Sequence, residues 1–107
     1  MSTENMGEFI RSLLQKDDSL TDLNNCRNST SKIGKEVKGK FPEAKTEVLV
    51  YPEPSAGYGV HYSLLIAQGD EEILVNAVAA PGFPEYIGSS KAAPPTFTAM
   101  KVTPRVI

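Results

Sequence analysis

Residues 60–78 read Val60-His61-Tyr62-Ser63-Leu64-Leu65-Ile66-Ala67-Gln68, then Gly69-Asp70-Glu71, then Glu72-Ile73-Leu74-Val75-Asn76-Ala77-Val78. Two apolar, β-branched runs split by Gly-Asp-Glu are a hairpin signal, because glycine tolerates the backbone conformation that a tight turn demands. Turn length sets the pairing. A two-residue turn over Gly69-Asp70 brings Asn76 opposite Ser63. Cross-strand partners share a face, as do residues i and i+2, so His61 and Asn76 then lie together. A three-residue turn shifts the register by one and separates them.

Working outward, the period of two begins at Lys45. Residues 46–51 (TEVLVY) form a strand closed by Pro52 and Pro54, and the glycine-rich SAGYG (55–59) leads into the hairpin. Residues 81–88 (PGFPEYIG) read as a loop or one short turn, and residues 96–103 (TFTAMKVT) as a last strand. Upstream the period is helical. Met6, Phe9, Ile10, Leu13 and Leu14 recur at helical spacing over residues 4–16, with Glu8, Arg11 and Gln15 on the other side. Residues 17–25 (DDSLTDLNN) are turn formers and helix caps. A second helix over about residues 26–40 places Cys26, Thr30, Ile33 and Val37 on one narrow stripe and Arg27, Ser31, Lys32, Lys35 and Lys38 on a solvated face. Gly39 and Pro42 end it. The order of elements predicts an α+β fold in a single domain, residues 1–107, with N-terminal helices packed on an antiparallel sheet of three to four strands.

Composition bounds the function. The chain has 107 residues, 40% of them hydrophobic, and a net charge of −2, which argues against a nucleic-acid partner. No apolar run reaches the length of a membrane span, and residues 1–18 lack the basic region and apolar stretch of a signal peptide, so no membrane partner and a cytoplasmic location are expected. One Cys and one His exclude an internal disulfide and leave too few ligands for a Cys/His zinc site, so no metal is expected. Gly57 and Gly59 flank Tyr58 without a phosphate-loop pattern, and no cofactor is implied.

Three residues carry chemistry. Cys26 starts a helix, where unpaired N–H groups and the dipole favour a thiolate, although a Cys on an apolar stripe often only packs. Asn24 and Asn25 precede it and offer amide N–H groups to a developing oxyanion. His61 offers an imidazole, whose unperturbed pKa of about 6.5 suits it to take a proton from a thiol as a general base. Asn76 stands inside an apolar strand with no packing reason to be there, unless it is an amide on an exposed edge. Facing His61, it accepts Nδ1–H and leaves Nε2 to serve the thiol. Together they make a nucleophile, a base and an orienting amide. Tyr58 and Tyr62 are candidates to line a substrate cleft, against the plainer role of packing with a wet hydroxyl.

The order and setting of these residues resemble the papain-like cysteine hydrolases, above all the small papain-fold domains of bacterial toxin effectors and deamidases. Three pieces carry the likeness over about residues 20–90: Asn25-Cys26 opening a helix that ends at Phe41-Pro42, Gly59-Val60-His61-Tyr62 entering a strand, and Val75-Asn76 followed by Pro81-Gly82-Phe83-Pro84-Glu85-Tyr86-Ile87. The resemblance implies a papain-like core, Cys26 as nucleophile, His61 as base and Asn76 as the residue that orients His61. It departs from the family in the polar Arg27, Asn28 and Ser29 after the Cys. It also lacks a Gln just upstream of it, the nearest being Gln15.

The function expected is a cysteine-dependent hydrolase or acyl transferase acting on an amide bond, of deamidase or peptidase type, with a protein or peptide substrate. The competing expectation is a non-catalytic protein-binding module, or an inactive papain-like domain, that forms a homodimer through an exposed strand at residues 96–107. A toxin domain delivered to another cell and held in check by an immunity or inhibitor protein is a third.

Overall fold

The computed structural model describes residues 3–22, 25–52, 60–80, 82–99 and 105–106. Helix α1 (Thr3–Lys16) forms because Met6 and Ile10, one turn apart, are both buried, with Phe9, Leu13 and Leu14 packed beside them. Asp17 stops it and caps a 3₁₀ turn (Asp18–Thr21), its carboxylate accepting from the Ser19 N–H at 3.1 Å. Helix α2 (Cys26–Lys40) buries Cys26, Ser29, Thr30, Ile33, Gly34 and Val37, a broader stripe than the sequence suggests. It ends where the Phe41 N–H donates to the Val37 carbonyl at 2.7 Å and Pro42 cannot continue.

Four strands make an antiparallel sheet beneath these helices: β1 (Lys45–Pro52), β2 (Val60–Gln68), β3 (Glu71–Asn76) and β4 (Tyr86–Ser89). A two-residue β5 (Arg105–Val106) adds to the outer side of β1, giving the order β4-β3-β2-β1-β5. Gln68 pairs with Glu71 across a two-residue turn in which Gly69 holds φ +60°, a value that suits glycine there. Leu64 therefore pairs with Val75, and Ser63 comes opposite Asn76. On β1, Tyr51 pairs with His61 and Leu49 with Ser63.

Both faces of the sheet are covered, which is why β2 and β3 carry unbroken apolar runs rather than strict alternation. On one face Leu64, Ile66, Ile73 and Val75 pack against Ile33 and Val37 of α2 and Met6 and Ile10 of α1. On the other, Leu49, Tyr51 and Leu74 pack against Phe83 and Phe97. His61, Ser63 and Asn76 project from this second face, by the alternation of side chains along each strand. A four-residue link joins α2 to β1, so β1 runs back beneath the helix. The Cys26 end of α2 thus lies toward the end of the sheet where β1 finishes and β2 begins.

Two segments differ from the sequence reading. Residues 96–103 were expected as a strand, but Thr96–Ala99 is a short helix, α3, and β5 follows later. Pro94 and Pro95 stand just ahead of α3, where proline suits a helix start, and the Phe97 N–H donates to the Pro94 carbonyl at 3.1 Å. Burial of the Phe97 ring against Tyr51 and Phe83 outweighs the weak strand propensity of Thr-Phe-Thr. The second difference is β4, which occupies part of the expected 81–88 loop and pairs Tyr86 with Asn76. Among the described residues no helix is long and apolar enough to cross a membrane.

Candidate active site

The site is built around the Asn76 amide. Its Nδ2 donates to the Phe83 carbonyl at 3.1 Å and to the Pro84 carbonyl at 2.8 Å, using both amide hydrogens. That fixes which way the amide points, because an oxygen in the Nδ2 position would face two other acceptors. Oδ1 is thereby turned to His61, 2.6 Å from Nε2. An amide oxygen only accepts, so Nε2 carries the hydrogen, and in the neutral ring Nδ1 is the basic nitrogen. His61 and Asn76 are each 1% exposed.

The segment after β3 supplies the clamp. Ala80 and Phe83 exchange backbone hydrogen bonds of 2.9 and 2.8 Å across Gly82, whose φ of +81° lets the chain turn there. This presents the Phe83 and Pro84 carbonyls to Asn76 and lays the Phe83 ring over His61, centroids 4.9 Å apart and planes 27° from parallel. The Tyr51 ring, 4.9 Å from Phe83, stands 6.3 Å from the imidazole. Burial pushes the Tyr51 phenol above its ordinary pKa, opposed by the hydrogen bond that the Ser63 hydroxyl donates to it at 3.2 Å.

The sequence allowed His61 and Asn76 one face or opposite faces according to the turn length, and the two-residue turn puts them on one. The ring nitrogen is the reverse of the expectation: Nε2 rather than Nδ1 meets the amide. The clamp by Phe83 and Pro84 was missed, although the Pro-Gly-Phe-Pro run directly after the Asn strand was its only visible signal.

Cys26 is the first residue of α2 and is 8% exposed. The turn before it is strapped to the helix. The Ser29 hydroxyl, buried, donates to the Leu20 carbonyl at 2.5 Å, and Asn25 Nδ2 donates to the Ser19 carbonyl at 2.7 Å. Lys32 Nζ lies 2.5 Å from Asp17 Oδ2. The Lys32 hydrogen bond, helped by Ser19, holds the Asp17 carboxyl down at about 2. Asn25, a candidate oxyanion donor, turns its amide to this strap, and its Oδ1 accepts from Asn28 at 3.2 Å. Tyr62, a candidate for substrate contact, alternates with His61 and so projects to the helix-covered face. Asn24 and Tyr58 lie outside the described residues.

The α2 stripe therefore packs on one face of β2 while His61 leaves the other. A thiol that reaches the imidazole has to do so around the end of the sheet, where β1 finishes. The described residues hold no cluster of three or more His, Cys, Asp or Glu side chains placed to bind a metal ion. No protein-family model, curated protein or solved structure matches the chain.

Proposed function

We propose that the chain is a cysteine-dependent hydrolase or acyl transferase acting on an amide bond, of deamidase or peptidase type, with Cys26 as nucleophile, His61 as base and Asn76 as its orienting residue. The observation that carries this is the clamped pair. Asn76 is held by two backbone carbonyls and sets the tautomer of a buried His61, over whose ring Phe83 is stacked. Any buried amide needs its hydrogen bonds met, and here the acceptor is spent on a histidine whose tautomer it sets.

In this reading Nδ1 of His61 takes the thiol proton as Cys26 Sγ attacks the carbonyl carbon. The Asn76 oxygen stabilises the imidazolium through Nε2–H. The first N–H groups of α2 have no acceptor within the helix and are available to the tetrahedral oxyanion. The imidazolium then protonates the leaving amine, and water or a second amine resolves the thioester. The papain-like pattern of the motifs supports the same assignment. The competing reading, a non-catalytic binding module, draws on the placement of the α2 stripe and His61 on opposite faces of β2, whereas dimerisation through an exposed strand has less behind it. Of the segment 96–107, residues 96–99 are helical and only Arg105–Val106 adds a two-residue strand at the outer edge of β1, while at β4 the Ile87 carbonyl already accepts from the Arg11 guanidinium at 3.2 Å.

The test is the pH dependence of Cys26 alkylation by iodoacetamide. The proposal expects rapid labelling near neutral pH, and slowing by at least tenfold in both His61→Ala and Asn76→Ala proteins that remain folded. Equal rates in all three proteins would remove the assignment.

A further inference from the structure

The outward face of α2 works against the helix that carries it. Arg27, Lys32, Lys35 and Lys38 are all exposed and fall within about 140° of the helix circumference. Lys32 and Lys35 stand three residues apart, as do Lys35 and Lys38, and at that spacing side chains are neighbours whose like charges repel. Arg27 occupies the first turn, at the positive end of the helix dipole, and that turn holds no acidic residue. The dipole accounts for Lys38 and Lys40 in the last turn but disfavours Arg27.

The chain leaves this face uncompensated. Among the described residues only Lys32 of the four cations is in an ion pair, with Asp17. Glu36, the one carboxylate on α2, stands at the margin beside Lys32. Asp70, Glu71 and Glu72 are exposed elsewhere, at the turn between β2 and β3. Solubility does not call for such a face. The chain already has a net charge of −2, and a soluble surface intersperses both signs, whereas a face of one sign raises the local attraction for the other.

We infer that the exposed face of α2 is a docking surface for an acidic segment of another protein. From Arg27 to Lys38 the cations extend over about 16 Å, three turns of helix, a length that a short run of carboxylates matches. At the Arg27 end the helix dipole adds to the attraction. A nucleic acid fits less well. α2 carries no aromatic side chain on which a base could stack, and the net negative chain repels a polyanion. Docking there needs no catalytic role for Cys26.

Fluorescence anisotropy at low salt tests this with three probes. They are fluorescein-Gly-Gly-Glu-Glu-Ala-Glu-Glu-Ala-Glu-Glu-Gly-Gly-amide, the same peptide with every Glu replaced by Gln, and a labelled single-stranded oligothymidylate of equal charge. The acidic peptide is expected to bind at least tenfold more tightly than its Gln version, no more weakly than the oligothymidylate, and less tightly as salt is raised. Lys35→Gln/Lys38→Gln should lose at least tenfold in affinity. Lys91→Glu, at an exposed site off α2 with the same change in net charge, should lose less than twofold. Arg27→Glu should weaken binding yet leave the urea midpoint unchanged or higher, because it removes a cation from the positive end of the helix. Absence of binding, equal affinity for the Gln peptide, tighter binding of the oligothymidylate, an equal loss in Lys91→Glu, or a lower midpoint in Arg27→Glu overturns the inference. Cys26 alkylation enters none of these readings, so the docking surface and the hydrolase stand or fall separately.

Discussion

Replacing Asn76 by Ala removes three hydrogen bonds at once, but they are unequal. His61 Nε2–H loses its acceptor where the ring is 1% exposed, and stranding a buried donor costs about 1–3 kcal/mol. The Phe83 carbonyl also accepts from the Ala80 N–H at 2.9 Å and keeps a partner, and the Pro84 bond is only partly buried. The two carbonyls together therefore add less, about 0.5–1 kcal/mol. The sum, about 1.5–4 kcal/mol, is a large share of the roughly 5–15 kcal/mol that holds a domain folded. Asn76→Asp sharpens the test. It keeps the size and the acceptor for His61 but aims an oxygen at the Phe83 and Pro84 carbonyls, at a cost of about 2–3 kcal/mol at neutral pH. Urea unfolding followed by circular dichroism reads both, since the chain has no Trp for fluorescence. Losses below about 0.5 kcal/mol in both variants, the range of an ordinary surface change, would refute the clamp.

Two further outcomes follow from the same contacts. The Asp17 carboxyl is depressed from 3.8 to about 2, so its contribution is present above the unfolded value and is lost as pH falls from about 4 through about 2; the difference in unfolding midpoint between the native chain and Asp17→Asn should shrink over that window in a urea series at several pH values. Phe97→Ala empties the middle of the second core, where the ring lies 6.0 Å from Tyr51 and 5.3 Å from Phe83, and should cost about 3–5 kcal/mol in the same assay, whereas a loss under about 1 kcal/mol would mean that α3 does not seal that face.

The hairpin was legible because its determinants are local. Gly69 at the turn and the apolar runs on either side allow few pairings, and the tight one puts His61 and Asn76 on one face. α2 was legible for a similar reason, its stripe ending at Phe41-Pro42. The segment 96–99 was not. Thr, Phe and Thr lean toward strand, and what makes them helical is a ring finding Tyr51 and Phe83, residues remote in sequence. The ring nitrogen of His61 was out of reach for the same reason. It depends on the direction from which Asn76 approaches, and that is set by the carbonyls of Phe83 and Pro84 on a loop whose path is tertiary.

The amino-acid order alone thus marks most of the elements and narrows the central hairpin to two registers, one of which pairs a histidine with an amide, since period, turn chemistry and burial pattern act over a few residues. The folded chain decides which face each residue serves. α2, with Cys26 at its start, covers one side of β2 while His61 and the Tyr51–Phe83–Phe97 core share the other, because packing between distant segments chooses the face that each element covers.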